Sequence, residues 1–290
     1  MQIGICTTDF PSMPMEALFS SIKQMGFSSI QLAFATLDEC NFIPDGVCEI
    51  PPELPESLTA RIADCAKAHS LRIVCVNGTF NMAHPDAAAR RVGLDRFESF
   101  AKAVKQIGCE QISLCSGTRN KDYLWAPHPD NDTAEAWADS LSSMQYITRI
   151  AESNGLTLLI ETEASNVINS PEKACEMMRF IGSNHLKMIM DCANLFHAGE
   201  ATPSLSDSVV NRAFDAFGQD IRLAHGKDIL PGPALNFCAA GEGIVNFEHM
   251  LLRLRQCGYR GDMILHGIED ISHMPQTLAF MRTCIAANPS

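Results

Sequence analysis

The chain has 290 residues, of which 46% are hydrophobic and 19% charged, and its formal net charge at pH 7 is −12. This composition is typical of a soluble protein with a large core, and the length suits one α/β barrel domain. The acidic balance argues against a protein that binds nucleic acid by neutralising phosphates, and against binding at an anionic membrane surface.

Strand-like and helix-like segments alternate along the whole chain. Short apolar runs bounded by turn-forming residues predict eight buried strands, at 2–6, 28–33, 72–77, 110–115, 156–161, 186–191, 221–225 and 262–266. Segments that begin near Pro, Ser or Asp, several of which end at Gly, predict eight helices, at 14–26, 55–69, 86–108, 132–155, 171–182, 204–218, 247–258 and 274–286.

These eight β-then-α units predict an α/β fold, a single (β/α)8 TIM barrel that spans residues 1–290 as one domain. A doubly wound open sheet is the alternative, and the lack of a GxGxxG motif after the first strand makes it second choice. The longer connections follow strands two, three, four and seven. We therefore expect the active site at the mouth that these loops form.

The twelve cysteines indicate a reducing compartment. None is spaced as CxxC, and Cys6, Cys75, Cys109 and Cys115 lie within apolar stretches, where cysteine behaves as a small hydrophobe. The first ten residues show no signal-peptide pattern, and no apolar stretch reaches the length of a membrane span. We therefore expect a cytoplasmic protein without a membrane partner; a homo-oligomer is compatible with the sequence.

Each of the last four predicted strands ends in a polar side chain after an apolar run. These side chains are Glu161, Asp191, His225 and His266. Because the carboxyl ends of barrel strands converge on one mouth, we expect the four to meet there. Two carboxylates and two imidazoles form a mixed oxygen–nitrogen set, which favours one Mn²⁺, Co²⁺ or Zn²⁺ ion over Mg²⁺.

The mouth loops carry further polar side chains that suit a ligand rich in hydroxyl groups. Trp125 and His128 together suit a sugar, because the indole offers an apolar wall and the imidazole a hydrogen bond. No basic cluster resembles a phosphate clamp, which favours an unphosphorylated ligand. The residues expected to bind the substrate are Asn77, His84, Trp125, His128, Asn166, Asn194, Asp228 and Glu269.

The chain resembles the sugar phosphate isomerase/epimerase family of xylose isomerase-like TIM barrels. That family includes ketose 3-epimerases, inosose dehydratases and, more distantly, endonuclease IV. The resemblance runs from IGICT to MILHG and is most specific in LLIETEASNVINSP, MDCANLFHAG, LAHGKD and GYRGDMIL. It implies a divalent metal held by Glu161, Asp191 and His225. Two positions depart from the family pattern. The fourth family ligand is usually a glutamate that also exchanges a proton, and His266 occupies that position here. The third residue after the aspartate is often a histidine that binds substrate, and Asn194 occupies that position.

The resemblance and the residues together predict a metal-dependent isomerase or epimerase of a sugar, keto-sugar or polyol. The metal would chelate a carbonyl and a neighbouring hydroxyl group and lower the pKa of the C–H group there. Glu161 or Glu163 would then move this proton with help from Lys227. Because the second glutamate is missing, Glu163, Lys227 or Glu269 would have to supply the substitute acid or base.

Three alternatives stay open. A lyase that dehydrates a keto-polyol needs one base and one acid, and His266 in place of glutamate favours it. An endonuclease for damaged DNA would call for a three-metal cluster and a basic face. A sugar-binding protein without catalysis would hold the metal without turnover.

Overall fold

The strands close into a parallel barrel. The computed structural model describes residues 1–288, with strands β1 (Ile3–Cys6), β2 (Ser29–Leu32), β3 (Arg72–Asn77), β4 (Gln111–Leu114), β5 (Thr157–Ile160), β6 (Leu186–Asp191), β7 (Ile221–Ile229), β8 (Phe237–Ala239) and β9 (Met263–Leu265). Strands β1 to β7 pair in parallel in chain order, and β9 pairs with both β7 and β1, so the sheet closes on itself. This confirms the predicted TIM barrel.

A long helix follows each parallel strand in the described part of the chain. The helices are α1 (Met15–Gln24), α2 (Glu56–Ala68), α3 (Ala87–Gln106), α4 (Ala134–Asn154), α5 (Pro171–Ile181), α6 (Pro203–Phe217), α7 (Phe247–Gln256) and α8 (Met274–Ala287). Asp86, Thr133 and Ser170 cap α3, α4 and α5 by accepting backbone N–H groups of the first turn. Gly155 and Gly182, with φ of 63° and 66°, end α4 and α5 in the left-handed conformation that glycine favours.

The alternation of side chains along the strands decides which residues reach the mouth. Leu159, Ile189, Leu223 and Ile264 pack together inside the barrel, apart from the larger core between the sheet and the helices. Successive side chains of a strand point to opposite faces, so the residue two positions further on points inward again. That residue is Glu161, Asp191, His225 or His266 in the four respective strands.

Strand β7 is longer than predicted. The sequence predicts a strand that ends at His225, whereas β7 continues to Ile229 and pairs antiparallel with β8. The prediction was wrong because it treated the residues after His225 as a loop. Lys227 is therefore a strand residue, and it shares the inward face with His225.

One buried carboxylate fixes the connection after β7. Asp228 accepts backbone N–H groups from Ile229, Gly241, Gly243 and Val245, at distances of 2.8 to 3.0 Å. A carboxylate with several backbone donors is a strong local anchor. The hairpin formed by β7 and β8 is thereby held over the mouth of the barrel.

Two chemical features concern the described residues as a whole. None of the helices in residues 1–288 has the length and apolar character needed to cross a membrane. All twelve cysteines are free thiols, and eight of them are buried. The expectation that cysteine serves here as a small core residue agrees with that burial.

We predict that Asp228→Ala destabilises the protein by about 3 kcal/mol, because buried backbone donors lose their charged acceptor. Urea unfolding followed by circular dichroism measures the change. Asp270→Ala is the matched control: Asp270 is exposed and accepts one backbone N–H group, from Ser272, so its loss should cost less than about 1 kcal/mol. Equal losses for the two variants would contradict the anchoring role of Asp228.

Candidate active site

Three of the four expected metal ligands come together at the mouth of the barrel. One donor atom from each of Glu161, Asp191 and His225 lies within 4.8 Å of the others. Nδ1 of His225 is 3.3 Å from Oε1 of Glu161 and 3.4 Å from Oδ2 of Asp191. Within residues 1–288, Asp191 Oδ2 and His225 Nδ1 are buried without a hydrogen-bond partner. Buried polar atoms normally have partners, so this arrangement fits donors that converge on a cation.

The other nitrogen of His225 fixes the orientation of the ring. Nε2 of His225 is 2.9 Å from Oε1 of Gln31, and the Gln31 amide nitrogen donates to Ser113 Oγ at 3.2 Å. An amide oxygen only accepts, so Nε2 carries a proton, and Nδ1 is the nitrogen whose lone pair a cation would use once its proton is lost. Burial opposes the charged ring, but Glu161 and Asp191 outweigh it and raise the pKa of His225 to about 9.

Asn194 holds the two glutamates of the site. Its side-chain amide donates to Oε1 of Glu161 at 2.7 Å and to Oε1 of Glu163 at 2.6 Å. The backbone N–H groups of Ala193 and Asn194 lie 3.0 and 3.4 Å from Asp191 Oδ1. The turn after β6 thus binds one oxygen of Asp191 and leaves the other for the cluster. The expectation that Asn194 binds substrate stays a prediction beside this positioning contact.

Glu163 and Lys227 lie beside the cluster, and their role in proton exchange stays a prediction. Burial, aided by Glu161 and Asp191, outweighs the opposing effect of Lys227 and raises the pKa of Glu163 to about 8. Nζ of Lys227 is 3.4 Å from Asp191 Oδ2 and 4.3 Å from the centre of the Phe237 ring. Burial disfavours the ammonium, but Asp191 and Glu163 outweigh it and raise the pKa of Lys227.

His266 lies next to the cluster and also contacts another acid. Its ring centre is 5.6 Å from that of His225, and its Nδ1 is 3.1 Å from Oδ1 of Asp9. Asp9 also accepts the backbone N–H groups of Gly267 and Ile268, at 3.3 and 3.0 Å. With Nδ1 directed at Asp9, Nε2 is the nitrogen left for a cation. The role of His266 as a fourth ligand stays a prediction.

The cluster opens into a cavity of about 350 Å³. Its walls include seven of the residues expected from the sequence: Asn77, Trp125, Glu161, Glu163, His225, Lys227 and His266. Glu49 also lines this cavity, and the sequence analysis did not identify it. A lone glutamate in a long irregular loop gives no periodic signal. The one available clue was its place in a loop that follows a barrel strand.

Two further residues expected to bind substrate hold loops in place. Nε2 of His84 is 3.0 Å from the Lys121 carbonyl oxygen, and the ring is buried. Oδ1 of Asn166 accepts the backbone N–H of Gly117 at 3.0 Å, and its amide group is also buried. Both contacts connect the mouth loops to each other. A direct contact of either residue with a ligand stays a prediction.

Three other residues expected to bind substrate are not part of the lining of this cavity. His128 accepts the backbone N–H of Asp130 at 3.2 Å and lies at the wall of a separate, open depression. Asp228 anchors the β7–β8 connection through backbone groups, and Glu269 is exposed after β9. As contacts with a substrate, these three residues also stay predictions.

The fold and the converging donors define a (β/α)8 barrel protein with a candidate metal centre at its mouth. The family described as xylose isomerase-like TIM barrel matches residues 19–284, and the chain belongs to this family. Membership confirms the resemblance noted from the strand-end motifs.

Individual relatives agree with this assignment. The chain is 25% identical over 186 residues to L-ribulose-5-phosphate 3-epimerase UlaE of Escherichia coli O157:H7 (strain EC4115 / EHEC), across 64% of this chain and 60% of that protein. The match thus spans about three fifths of the relative's length. The apo structure of 3-keto-D-glucoside 4-epimerase, YcjR, from E. coli has a TM-score of 0.72 and 17% identity, covering 98% of this chain and 100% of that one. The structure of IOLI protein with a binding zinc atom has a TM-score of 0.74 and 14% identity over 100% of both chains. These two structures show the same fold.

We predict that Glu163→Gln flattens the pH dependence of stability in the metal-free protein. The pKa of Glu163 is about 8 in the fold against an ordinary 4.5, so the folded chain holds a proton that the unfolded chain has lost. Through Glu163, the free energy of unfolding therefore falls as the pH rises across this interval, by at most about 1.4 kcal/mol per pH unit. The glutamine variant should lack this contribution.

Urea unfolding of chelator-treated protein at several pH values between about 5 and about 8 measures the slope. Glu98→Gln is the control, because Glu98 is exposed on α3 and its ion pair with Lys102 is solvated. If wild type and Glu163→Gln lose stability equally as the pH rises, the raised pKa of Glu163 is contradicted.

Proposed function

We propose that the protein is a divalent-metal-dependent isomerase or epimerase that acts on a sugar, keto-sugar or polyol. The observation that carries this proposal is that two buried atoms beside Glu161, Asp191 Oδ2 and His225 Nδ1, form no hydrogen bond in the described chain. They lie at a cavity that also contains Glu163 and Lys227. The relatives named above support sugar epimerisation, since two of them are named as sugar epimerases.

The donor set fits a transition metal ion. Glu161, Asp191 and His225 would hold Mn²⁺, Co²⁺ or Zn²⁺, with His266 Nε2 as the proposed fourth ligand. When bound, such an ion polarises a sugar carbonyl and so makes the neighbouring C–H bond more acidic. Gln31 and Asn194 act behind these ligands by fixing the imidazole and the Glu161 carboxylate.

The protein's own groups then move the proton. Glu163 takes the proton from the carbon next to the carbonyl, and its pKa near 8 allows exchange around neutral pH. The ammonium group of Lys227 lies on the same side of the cavity and stabilises the negative charge that develops on the substrate oxygen. Asn194 keeps Glu163 at a fixed distance from Glu161.

The cavity suits a small neutral sugar. Its volume of about 350 Å³ lies near the lower end of the range for small-molecule sites. Trp125 and Phe237 provide apolar wall surface, while Gln31, Ser113 and Thr79 provide polar groups. Within the lining, three carboxylates outnumber the single lysine, which disfavours a phosphate group. We therefore propose an unphosphorylated ligand.

Elimination of water from a keto-polyol is the second candidate. Lys227 favours it, because a buried ammonium 3.4 Å from Asp191 is placed as a general acid for a leaving hydroxyl group. A lyase needs one base and one acid, which Glu163 and Lys227 supply together. The two candidates differ in product, so the same experiment distinguishes them.

We predict that Asp191→Ala lowers the affinity for Mn²⁺ by at least about 100-fold, because three of the four proposed ligands remain and the site loses a negative charge. Isothermal titration of chelator-treated protein measures it, and elemental analysis gives the stoichiometry. His69→Ala is the matched control. His69 belongs to a second donor group, with Glu16 and Cys65, whose side chains already hydrogen-bond to one another. Stoichiometric, tightly held metal in Asp191→Ala would contradict the assignment.

We predict that the metal-loaded enzyme converts at least one member of a panel of ketoses, inososes and keto-sugars into an isomer. In D₂O the product should carry deuterium at the carbon that exchanges its proton, detected by NMR. Glu163→Gln and Lys227→Ala should each lower kcat by at least about 100-fold, as expected for acid–base groups, while Glu98→Gln should not. An unsaturated or deoxy product would establish the lyase instead. A bound metal without turnover of any member would indicate a binding protein.

A further inference from the structure

Inversion at a carbon next to a carbonyl has a geometric requirement. The proton leaves from one face of the substrate and a proton must arrive on the other. One carboxylate on one side of the cavity serves a single face. At the strand-end position after β9 this chain carries His266, whose Nδ1 is directed at Asp9. A metal-bound neutral imidazole has no lone pair left for a proton. The second proton-exchanging group must therefore come from elsewhere in the cavity wall.

We propose that Glu49 is this second group and that it delivers a proton to the face opposite to the one that Glu163 deprotonates; the inference rests on the proposed function. The cavity lining contains three carboxylates: Glu161 and Glu163 follow β5, whereas Glu49 lies in the loop after β2. Glu49 is not one of the proposed metal ligands.

The backbone around Glu49 is fixed against the end of β3. The N–H of Glu49 donates to the Thr79 carbonyl at 2.9 Å, and Asn81 N–H donates to the Val47 carbonyl at 2.7 Å. Cys48 forms an antiparallel bridge with Phe80 between these two bonds. The loop after β2 therefore folds back over the mouth and presents Glu49 from a defined position.

The Glu49 side chain is held on a rigid support. Asn77 Oδ1 accepts the Thr79 N–H at 3.1 Å, which orients the amide so that its nitrogen donates to Oε2 of Glu49. The indole N–H of Trp125 is a second donor to the Glu49 carboxylate. Burial raises the pKa of Glu49, although these two hydrogen bonds oppose the shift. A raised pKa suits a carboxyl group that donates a proton in one direction of a reaction and accepts it in the other.

Glu49 and Glu163 approach the cavity from different sides. Glu49 is supported by Asn77 at the end of β3, whereas Glu163 follows β5 and β4 lies between these strands. Trp125 and Asn77 were expected to bind substrate directly. They line the cavity, and both also hold Glu49. In the proposed arrangement, a sugar carbon lies between the two carboxyl groups and has one face toward each.

The proposed step balances without an external oxidant or reductant. Glu163 removes the proton, and the C–H electron pair becomes the carbon–carbon double bond of an enediolate. The protonated Glu49 then gives its proton to the opposite face of the same carbon, and the carbonyl forms again. Glu163 ends protonated and Glu49 ionised, and exchange with solvent resets both. The reverse reaction uses the two residues in exchanged roles.

The test is Glu49→Gln with Mn²⁺ in D₂O, on the panel substrate that the wild type epimerises. When the starting sugar is the epimer that Glu163 deprotonates, the variant should still exchange the proton of that sugar for deuterium. Formation of the other epimer should fall at least about 100-fold. Starting from that other epimer, incorporation should also fall at least 100-fold. Glutamine keeps the size of the side chain and an oxygen acceptor, so a merely structural role for Glu49 would leave both rates near wild type. Glu53→Gln is the matched control, because Glu53 is exposed in the same loop.

Each outcome decides the inference. Thermal melting and Mn²⁺ titration of Glu49→Gln should match the wild type. If the glutamine variant does not fold, Glu49→Asp replaces it and should show the same direction-dependent loss, smaller in size. Unchanged epimer formation in the substituted enzyme overturns the role of Glu49 and leaves the proposed function intact. Failure of the wild type to exchange or epimerise any panel member overturns both.

Discussion

The mouth of the barrel depends on one constraint: two carboxylates and an imidazole converge there, with Asp191 and His225 buried and Glu161 half-buried. Glu161, Asp191 and His225 arrive there because strand side chains alternate and barrel strands converge. Burying two carboxylates is costly unless a positive charge compensates them. Lys227 compensates Asp191 in part, since its Nζ is 3.4 Å from Oδ2. The same two carboxylates raise the pKa of His225 against the effect of its burial, whereas burial is the main cause of the raised pKa of Glu163.

The residues behind the cluster have a common role, which is to hold its side chains in fixed positions. Gln31 orients the His225 ring so that Nδ1 faces the carboxylates. Asn194 holds Glu161 and Glu163 by donating a hydrogen bond to each. Asp228 fixes the connection that follows Lys227, because it accepts backbone N–H groups from that connection. A site that binds a cation reversibly needs such rigidity, because collapse of the donors onto each other would compete with the ion.

The sequence predicted the barrel and the centre of the site because both follow from periodic patterns. Glu161, Asp191 and His225 each follow a short apolar run, so they were predicted to meet at the mouth, and their donor atoms do lie together. The β7–β8 hairpin was missed because its pairing depends on the long-range anchor at Asp228, which no local pattern reveals. Glu49 was missed for the same reason: its place at the mouth depends on backbone pairing with the segment after β3.

The distribution of charge connects the metal centre with the choice of ligand. The cavity lining has three carboxylates, and Asp191 lies behind it, whereas Lys227 is the one lysine of that lining. Within the described residues the lining contains no arginine, and Lys227 already pairs with Asp191, so a phosphorylated sugar would add charge without a basic group in the lining devoted to it. A neutral sugar needs hydrogen bonds and an apolar wall instead, which Gln31 and Trp125 offer. The electrostatics that favour a metal at this mouth therefore also favour an uncharged substrate.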